Sequence, residues 1–425
     1  MRGVEGVSAS RLARAREDLA VDPSDCCRLS NLANALWLDD RLPEAMSWVR
    51  WAVRSRGTST WHPLVDRCYG NILLDCGQYA EADNAYRRSD PESLSAATQF
   101  NRAKAALGMG DFDLAWRLFE RRLNLKPAPD GVVDGPWWQG WLEADQVTVW
   151  CEQGLGDTLQ FVRWLPALAA RVSRVRCCVQ PSLHRLLDRG LAWMGEKVVV
   201  VTDPLSKSEG CHGSLLSLPW LLKESAPPWP RAQGYVSVQA AHRMPSGQKK
   251  APFQVGVMWG AGRYLDGGAR ERDYYRKSVL GTDLSSLLHE LRRRPVQLVN
   301  LQVGPDRDCP AQAGIEWDCF LDPRADFFDL ALLMGSLDLI ITVDTACAHL
   351  AGAMGLPTWV LLPWAAASRW GRDTDSSPWY PTLRLWRQPR HQDWIGLWPT
   401  LLTALDQYVC DEDFGIAVRT DPQLM

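Results

Sequence analysis

The fold is decided by residues 337–363, which read LDLIITVDTACAHLAGAMGLPTWVLLP. The apolar, β-branched run at 339–343 is typical of a strand buried on both faces. Small residues at helical spacing follow, up to Gly355 and Pro357, which are typical of a helix end. A second apolar run at 358–362 completes the pattern, and the sequence therefore predicts a βαβ unit.

Asp344 and Thr345 follow the first of these strands, at the carboxyl end where open α/β sheets bind ligands. The start of the helix at this point also offers unpaired N–H groups to an anion. One interpretation is a site for a phosphate-bearing ligand. The other is an ordinary crossover in which Asp344 only caps its helix, and these residues alone do not separate the two.

The composition limits the class of protein. At 425 residues the chain is long enough for two or three domains, and its net charge of -3 implies no broad basic surface for nucleic acid. No apolar run reaches the roughly 18 residues of a membrane span, and the N-terminus lacks the apolar centre of a secretory signal. The 12 cysteines are scattered without CxxC or metal-ligand spacing, so we expect reduced thiols, no metal and a cytoplasmic protein.

Tryptophan is unusually frequent, with 22 residues against 9 tyrosines and 9 phenylalanines. Aromatic platforms are common in sugar sites, but large rings also fill cores and domain interfaces. We expect most of these tryptophans to be packing residues.

Residues 9–126 have a helical pattern throughout, with an internal repeat. Pairs of small residues, twelve positions apart, recur along it: Ala33 with Ala45, Gly70 with Ala82, and Ala103 with Ala115. The period, about 34 residues, resembles that of tetratricopeptide repeats, in which small residues let paired helices pack closely. The sequence predicts a helical-repeat domain that either holds a peptide or protein in its groove or buttresses the next domain.

A linker-like segment at 126–131, KPAPDG, precedes a first α/β region at 136–245. In this region a strand candidate at 146–151 leads into the turn EQGLGD and a helical pattern, which is typical of a Rossmann-like opening. The turn is not the dinucleotide fingerprint GxGxxG, because the third glycine is absent. Asp157 in this turn can accept a proton from a neighbouring hydroxyl or can simply cap its helix.

A proline-bearing segment at 245–252 predicts a hinge to a second α/β region at 252–409. The strand candidate at 253–259 is followed by a glycine- and charge-rich loop at 260–276, which we expect to be mobile and to face a ligand. Its arginines could neutralise a phosphate or could be ordinary surface charges.

Four stretches, taken in order, carry a family resemblance: EQGLGDTLQFVRWLP (152–166), RKSV (276–279), DLIITVDTACAHLAGAMGLP (338–357) and SPWYPTLRLWRQP (377–389). They resemble bacterial tetratricopeptide-repeat glycosyltransferases. The catalytic half of those proteins is similar to the heptosyltransferases and, more distantly, to the O-linked N-acetylglucosamine transferases. The resemblance covers roughly residues 10–405. It implies GT-B architecture, with α-helical repeats at 9–126, a Rossmann-like acceptor-side domain at 136–245 and a Rossmann-like nucleotide-sugar-binding domain at 252–409.

The resemblance also implies an activity. It is an inverting, metal-independent transfer of a sugar from a nucleotide sugar to a protein or surface-glycan acceptor, with no cofactor and with the repeats engaging the acceptor or a partner. Asp157 is then expected to be the catalytic base, facing Asp344 and Thr345 across the cleft between the domains. The expected donor-binding residues are Gly156, Arg276, Lys277, Ser278, Asp344, Thr345, Ala346 and His349. The expected acceptor or cleft residues are Gln153, Gln160 and His212.

Two alternatives stay open. His349 lies one helical turn after Thr345, where it either faces the donor or packs in the core. The whole chain could instead be a non-catalytic interaction protein, in which the repeats bind a partner and the α/β half is a degenerate glycosyltransferase-like scaffold.

Overall fold

A computed structural model describes residues 2–55, 62–89, 95–125, 136–141, 144–203, 210–224, 234–238, 252–263, 268–309, 317, 319–322 and 324–413. The predicted linker at 126–131 and residues 245–251 of the predicted hinge lie outside these ranges. Within them the chain forms a helical array followed by two parallel sheets, each covered by helices.

The helical array begins with α1 (Arg2–Val21) and continues as three helix pairs. The pairs are α2 (Cys26–Leu38) with α3 (Leu42–Arg54), α4 (Pro63–Asp75) with α5 (Tyr79–Ser89), and α6 (Ala96–Gly108) with α7 (Phe112–Phe119). The alanines that define the sequence repeat are all fully buried. They are therefore packing positions, as the spacing predicted.

A three-residue turn joins the two helices of each pair, and its middle residue has a positive φ. The middle residues are Asp40 (φ 58°), Gly77 (φ 73°) and Gly110 (φ 75°). Glycine adopts this left-handed conformation readily, and aspartate and asparagine are among the few other residues that tolerate it. Asp40 therefore fits the turn of the first pair.

The first sheet has the order β3-β2-β1-β4, with all strands parallel. Its strands are β1 (Gln146–Trp150), β2 (Arg174–Cys178), β3 (Val198–Val201) and β4 (Cys211–Ser214), and its helices are α8 (Leu155–Phe161), α9 (Leu165–Ala169), α10 (Pro181–Gly190) and α11 (Leu218–Leu222). The turn that contains Asp157 follows β1 at the carboxyl edge of this sheet.

The second sheet has the order β10-β9-β8-β5-β6-β7, again with all strands parallel. Its strands are β5 (Phe253–Met258), β6 (Val296–Asn300), β7 (Cys319–Phe320), β8 (Leu339–Val343), β9 (Thr358–Leu362) and β10 (Leu383–Arg387), and its helices are α12 (Ala269–Lys277), α13 (Gly281–Arg292), α14 (Phe327–Met334), α15 (Ala346–Met354) and α16 (Trp398–Asp413). From β5 the chain adds β6 and β7 on one side, and it then returns to add β8, β9 and β10 on the other side. The point between β5 and β8, where the strand order reverses, is where such sheets bind ligands. The predicted fold class, helical repeats followed by α/β domains in a GT-B-like arrangement, is confirmed.

The prediction of a mobile loop over 260–276 is wrong for its second half, which is the helix α12. The segment ARERDYYRK contains good helix formers, and its Arg272 and Arg276 contact the repeats. None of the described helices is both long and apolar enough to cross a membrane.

An aromatic cluster joins the three parts of the molecule. Trp116 of α7 makes edge-to-face contacts with Phe161 and Trp164 near α8 at centroid distances of 5.9 Å, and with Trp379 of the second α/β domain at 6.0 Å. Such contacts are worth about 0.5–1.5 kcal/mol beyond the burial of the rings. These tryptophans are packing residues, and they fix the repeats against both α/β domains.

Candidate functional site

The N-terminus of α8 packs directly against α15 across the cleft between the two α/β domains. A Cβ atom on Gly156 would lie 2.7 Å from Cδ2 of His349 and 3.5 Å from Cα of Ala346. A larger residue at this position would push the two helices apart. The structure thus brings the turn with Asp157 and the turn with Asp344 to one cleft.

Asp157 is held from both sides. Its Oδ1 accepts a hydrogen bond from Nη2 of Arg369 at 2.7 Å, and its Oδ2 accepts one from the N–H of Gly154 at 3.2 Å. Burial opposes ionisation of Asp157, but the positive charge of Arg369 outweighs burial and holds the pKa of the carboxyl below its usual range. Asp157 is therefore an ionised carboxylate at neutral pH.

Arg369 is a site residue that the sequence did not indicate. It lies in a short 3-10 turn, Ser368–Trp370, beyond the carboxyl end of β9. Besides Asp157 it binds Gln160, whose Oε1 accepts from Nη1. Gln160 therefore lies in the cleft, where the sequence predicted it.

Lys277 and Asp344 form a second ion pair, with 2.9 Å between Nζ and Oδ2. Asp344 is buried at the end of β8, and burial alone would raise its pKa. Lys277 outweighs this and lowers the pKa of Asp344 to about 2. The pair therefore stays charged over the whole physiological pH range.

Thr345 caps α15 and also contacts the neighbouring strand. Its Oγ1 accepts a hydrogen bond from the N–H of Cys347 at 3.2 Å and lies 3.6 Å from Sδ of Met258 at the end of β5. Because β5 and β8 flank the switch point, Thr345 and the first helical residue, Ala346, lie where the topology favours a ligand. Ser278 supports the same region, since its Oγ accepts from the N–H of Ala261 at 3.0 Å.

His349 packs in the core. This is the second of the two positions that the sequence left open, the first being a position facing the donor. Its Nδ1 lies 2.8 Å from Oη of Tyr380, and its ring stacks on Trp370 at 5.4 Å. Burial lowers the pKa of His349 to about 3, and the charge of Arg369 contributes in the same direction. The ring is therefore neutral, and its edge forms the surface on which Gly156 rests.

Arg276, a predicted donor-binding residue, lines the same cavity as Lys277, but its guanidinium is bound by the repeats. Its guanidinium binds Asp40 at 2.6 Å and Asp75 at 2.8 Å, both in the repeats. Burial alone would lower the pKa of Arg276, but Asp75 and Asp40 raise it overall. On a helix, adjacent residues point about 100° apart, so Arg276 faces the repeats while Lys277 faces the cleft.

His212 is not brought to the cleft. It lies within β4 opposite Thr148, and its Nδ1 accepts a hydrogen bond from Nε1 of Trp150 at 3.4 Å. Trp137 packs edge-on against the ring at 5.4 Å. These contacts make His212 a packing residue of the first sheet.

A cavity of about 330 Å³ opens beside the two ion pairs. The cleft contributes Gln153, Lys277 and Arg369 to its wall, and the repeats contribute residues of α4 and α6, among them Asn101 and Lys104. This volume is at the lower end of the range for small-molecule sites. Residues of the repeat helices therefore form one side of the candidate site.

No family model matches this chain. Its sequence is similar to Protein FlbA of Caulobacter vibrioides, with 27% identity over 392 residues that cover 81% of this chain and 62% of FlbA. The chain thus spans less than two thirds of the length of that curated relative.

Solved structures show weak likenesses. The E. coli ADP-heptose lipopolysaccharide heptosyltransferase II is 14% identical, with a TM-score of 0.41, and the match covers 63% of this chain and 99% of that one. The O-GlcNAc transferase of Thermobaculum terrenum is 11% identical, with a TM-score of 0.29, and the match covers 98% of this chain and 95% of that one. Both proteins are of the kinds that the four sequence motifs resemble. At these identities and TM-scores, the roles of residues in those proteins cannot be assigned to residues of this chain.

Within the described ranges, one group of side chains has the arrangement of a metal site, and it lies in the repeats. Cys26, Cys27 and His62 offer ligand atoms within 4.8 Å of one another. The sequence spacing did not connect these residues, because the histidine approaches from the start of a different helix. None of the carboxylates of the cleft belongs to such a group among the described residues.

Proposed function

We propose that this protein is a glycosyltransferase that moves a sugar from a nucleotide sugar to a protein or surface-glycan acceptor, with inversion and without a metal ion. One observation carries the proposal. An ionised carboxylate, Asp157, lies with Lys277 and Arg369 in the cleft between two Rossmann-like domains, at the carboxyl edges of both sheets. This is the set of charges that the reaction needs.

Asp157 acts as the general base in the proposed reaction. It takes the proton of an acceptor hydroxyl while that oxygen attacks the anomeric carbon of the donor sugar. The bond from this carbon to the diphosphate breaks on the opposite face, and the nucleoside diphosphate leaves with the electron pair. The new bond therefore has the inverted configuration.

The leaving diphosphate gains negative charge as the bond breaks. Lys277 and Arg369 supply positive charge beside it, and the first turn of α15 supplies a helix N-terminus at Ala346. Arg369 is bound to Asp157 in this structure, so a diphosphate would compete with Asp157 for it. As Arg369 turns toward the diphosphate, the pKa of Asp157 rises and the carboxylate becomes a better base.

A second candidate function is a non-catalytic interaction protein. The observation that favours it is the internal pairing of charges. Arg369 neutralises Asp157, Lys277 neutralises Asp344, and Arg276, a predicted donor ligand, binds the repeats. A degenerate scaffold would keep such pairs for stability alone.

Assays across a panel of nucleotide sugars separate the two functions. We expect the wild type to hydrolyse or transfer one donor, and Asp157→Asn to lower kcat roughly 100-fold or more. Asp188→Asn, which removes an exposed carboxylate of α10 in the same domain, is the matched control and should leave kcat unchanged. Donor binding without turnover in the wild type would instead favour the interaction protein.

Two further measurements test whether the reaction proceeds with inversion and without a metal ion. The anomeric configuration of the product, measured by NMR, tests inversion. Activity that survives a chelator, in protein shown by elemental analysis to be free of metal, tests metal independence.

A further inference from the structure

Lys104 lies on α6, a repeat helix, and yet it lines the same cavity as Lys277 and Arg369. These three cations come from three different parts of the chain. The cavity is also lined by Arg272 and Arg276 and by the carboxylates that pair with them, Asp75 and Asp273. Neither the repeat pattern nor the catalytic motifs singled out Lys104.

Lys104 differs from the other two cations in its partners. Lys277 and Arg369 lie 2.9 Å and 2.7 Å from a carboxylate oxygen. Among the described residues, no carboxylate forms an ion pair with Lys104. Its Nζ donates to Oδ1 of Asn101 at 3.2 Å and lies 4.6 Å from the ring centroid of Phe100.

A chain of hydrogen bonds fixes the acceptor of Lys104. Oη of Tyr86 donates to Oδ1 of Asn71 at 2.8 Å, and Nδ2 of Asn101 donates to the same oxygen at 3.0 Å. The amide of Asn101 is thereby oriented with its oxygen toward Lys104. The ammonium is therefore positioned by neutral groups, which hold it without cancelling its charge.

The surroundings make this charge costly. Burial lowers the pKa of Lys104, and the positive charges of Arg272 and Arg369 act in the same direction, against the carboxylates of Asp75 and Asp273. The negative charge of an anion in the cavity would offset the free-energy cost of burying the ammonium. It would also reduce the repulsion between the like charges. A lysine ammonium is a common partner of phosphate groups.

We propose that Lys104 is a substrate-binding residue, whose ammonium binds an anionic oxygen group of the substrate. The helical repeats thereby complete the site instead of only delivering the acceptor to it. The inference rests on the proposed function for the identity of the substrate. The anionic group is either the diphosphate of the donor or a carboxylate on one of the two sugars, and both offer the same chemistry to an ammonium.

Calorimetric titration of the full-length protein tests this inference with two probes, inorganic pyrophosphate and glucuronate, and with glucose as the uncharged control. We expect Lys104→Met, which keeps the apolar stem, to weaken binding of one of the two anions roughly tenfold. Lys104→Arg should retain most of the affinity. Lys197→Met removes an exposed lysine of the first α/β domain and should have no effect.

The outcomes distinguish the source of the anion. Weaker pyrophosphate binding by Lys104→Met assigns the residue to the donor diphosphate, and weaker glucuronate binding alone assigns it to a carboxylate. The inference is overturned if Lys104→Met, with an unchanged Tm, binds both anions as the wild type does, or if the wild type binds neither. Pyrophosphate binding needs no turnover, so a wild type that binds it through Lys104 but transfers no sugar would reject the proposed function alone.

Discussion

Asp157 and Arg369 are 212 positions apart in the chain, and their side chains form an ion pair of 2.7 Å that bridges the two α/β domains. Arg369 is about one quarter exposed, at 28%, and Asp157 is 18% exposed. The solvent exposure of this ion pair is therefore intermediate between that of a fully buried pair and that of a surface pair. It holds the predicted base and ties the domains together at the same point.

A double-mutant cycle measures this pair. We expect Asp157→Asn and Arg369→Gln to be coupled by about 1–2 kcal/mol in the free energy of unfolding, because either single change leaves one charge without its partner. Urea unfolding of the four proteins gives the coupling. The exposed pair Arg185–Asp329, which also links the two domains, is the matched control and should show a weaker coupling. Additive effects at Asp157 and Arg369 would show that they do not interact in solution.

Lys277→Met should weaken nucleoside diphosphate binding roughly tenfold, since it removes a cation from the cleft. It should also destabilise the protein by about 2 kcal/mol, because Asp344 is then left buried without a partner. The double variant Lys277→Met with Asp344→Asn should recover the stability but not the affinity. Calorimetry with a diphosphate identified by thermal shift, together with urea unfolding, checks both parts. Unchanged affinity in the single variant contradicts the role of Lys277.

The lowered pKa of His349 should make the stability of the protein depend on pH. Its pKa is about 3 in the folded protein and about 6.5 in an unfolded chain. Below pH 6.5 the unfolded chain takes up a proton that the folded protein does not. The free energy of unfolding should therefore fall by up to about 1.4 kcal/mol per pH unit on acidification, from this residue alone.

Urea unfolding between pH 6.5 and 4.5 tests this prediction, and comparison with a variant separates the histidine from groups such as Glu120, whose pKa is raised by burial. Asp344, with a folded pKa of about 2, contributes stability that is lost only below about pH 4. We expect His349→Asn to have a shallower pH dependence than the wild type across this window. His289→Asn, at an exposed position of α13, should keep the wild-type slope. Equal slopes for all three proteins would mean that His349 is protonated in the folded state.

The ion pair between Asp40 and Arg276 should hold the repeats against the second α/β domain. Asp40→Asn keeps a side chain that tolerates a positive φ but removes the charge that binds Arg276. We expect a loss of about 3 kcal/mol in the free energy of unfolding, because the guanidinium of Arg276 is buried and would keep only one of its two carboxylate partners, Asp75. Hydrogen exchange of α12 should accelerate. Glu81→Gln, an exposed change on α5, should leave this exchange unaltered.

The sequence predicted the strands of the second sheet well. The strands at 339–343 and 358–362 match the predicted bounds, because an unbroken apolar run flanked by turn residues has few other stable conformations. The helix α12 was missed because glycines and charges at 260–268 resemble a loop. Its order depends on contacts with Asp40 and Asp75, which are more than 190 residues away in the chain.

The candidate site could be predicted only in part. Asp157, Asp344, Thr345 and Lys277 follow strands or adjoin a motif, so their position relative to the sheets could be inferred. Arg369 and Lys104 have no such marker, because a single arginine in a connection and a single lysine on a repeat helix become site residues only through tertiary packing. For the same reason the sequence could not choose between Arg276 and Lys277, whose charged groups pair with carboxylates in different parts of the molecule.

The helix α12 carries these two residues next to each other, and their contacts lie in different parts of the protein. Arg276 is anchored to the turn of the first repeat pair, and Lys277 is anchored at the end of β8. A rigid-body shift of the helix moves both side chains together, so α12 links the position of the first repeat pair to the position of Lys277 in the cleft.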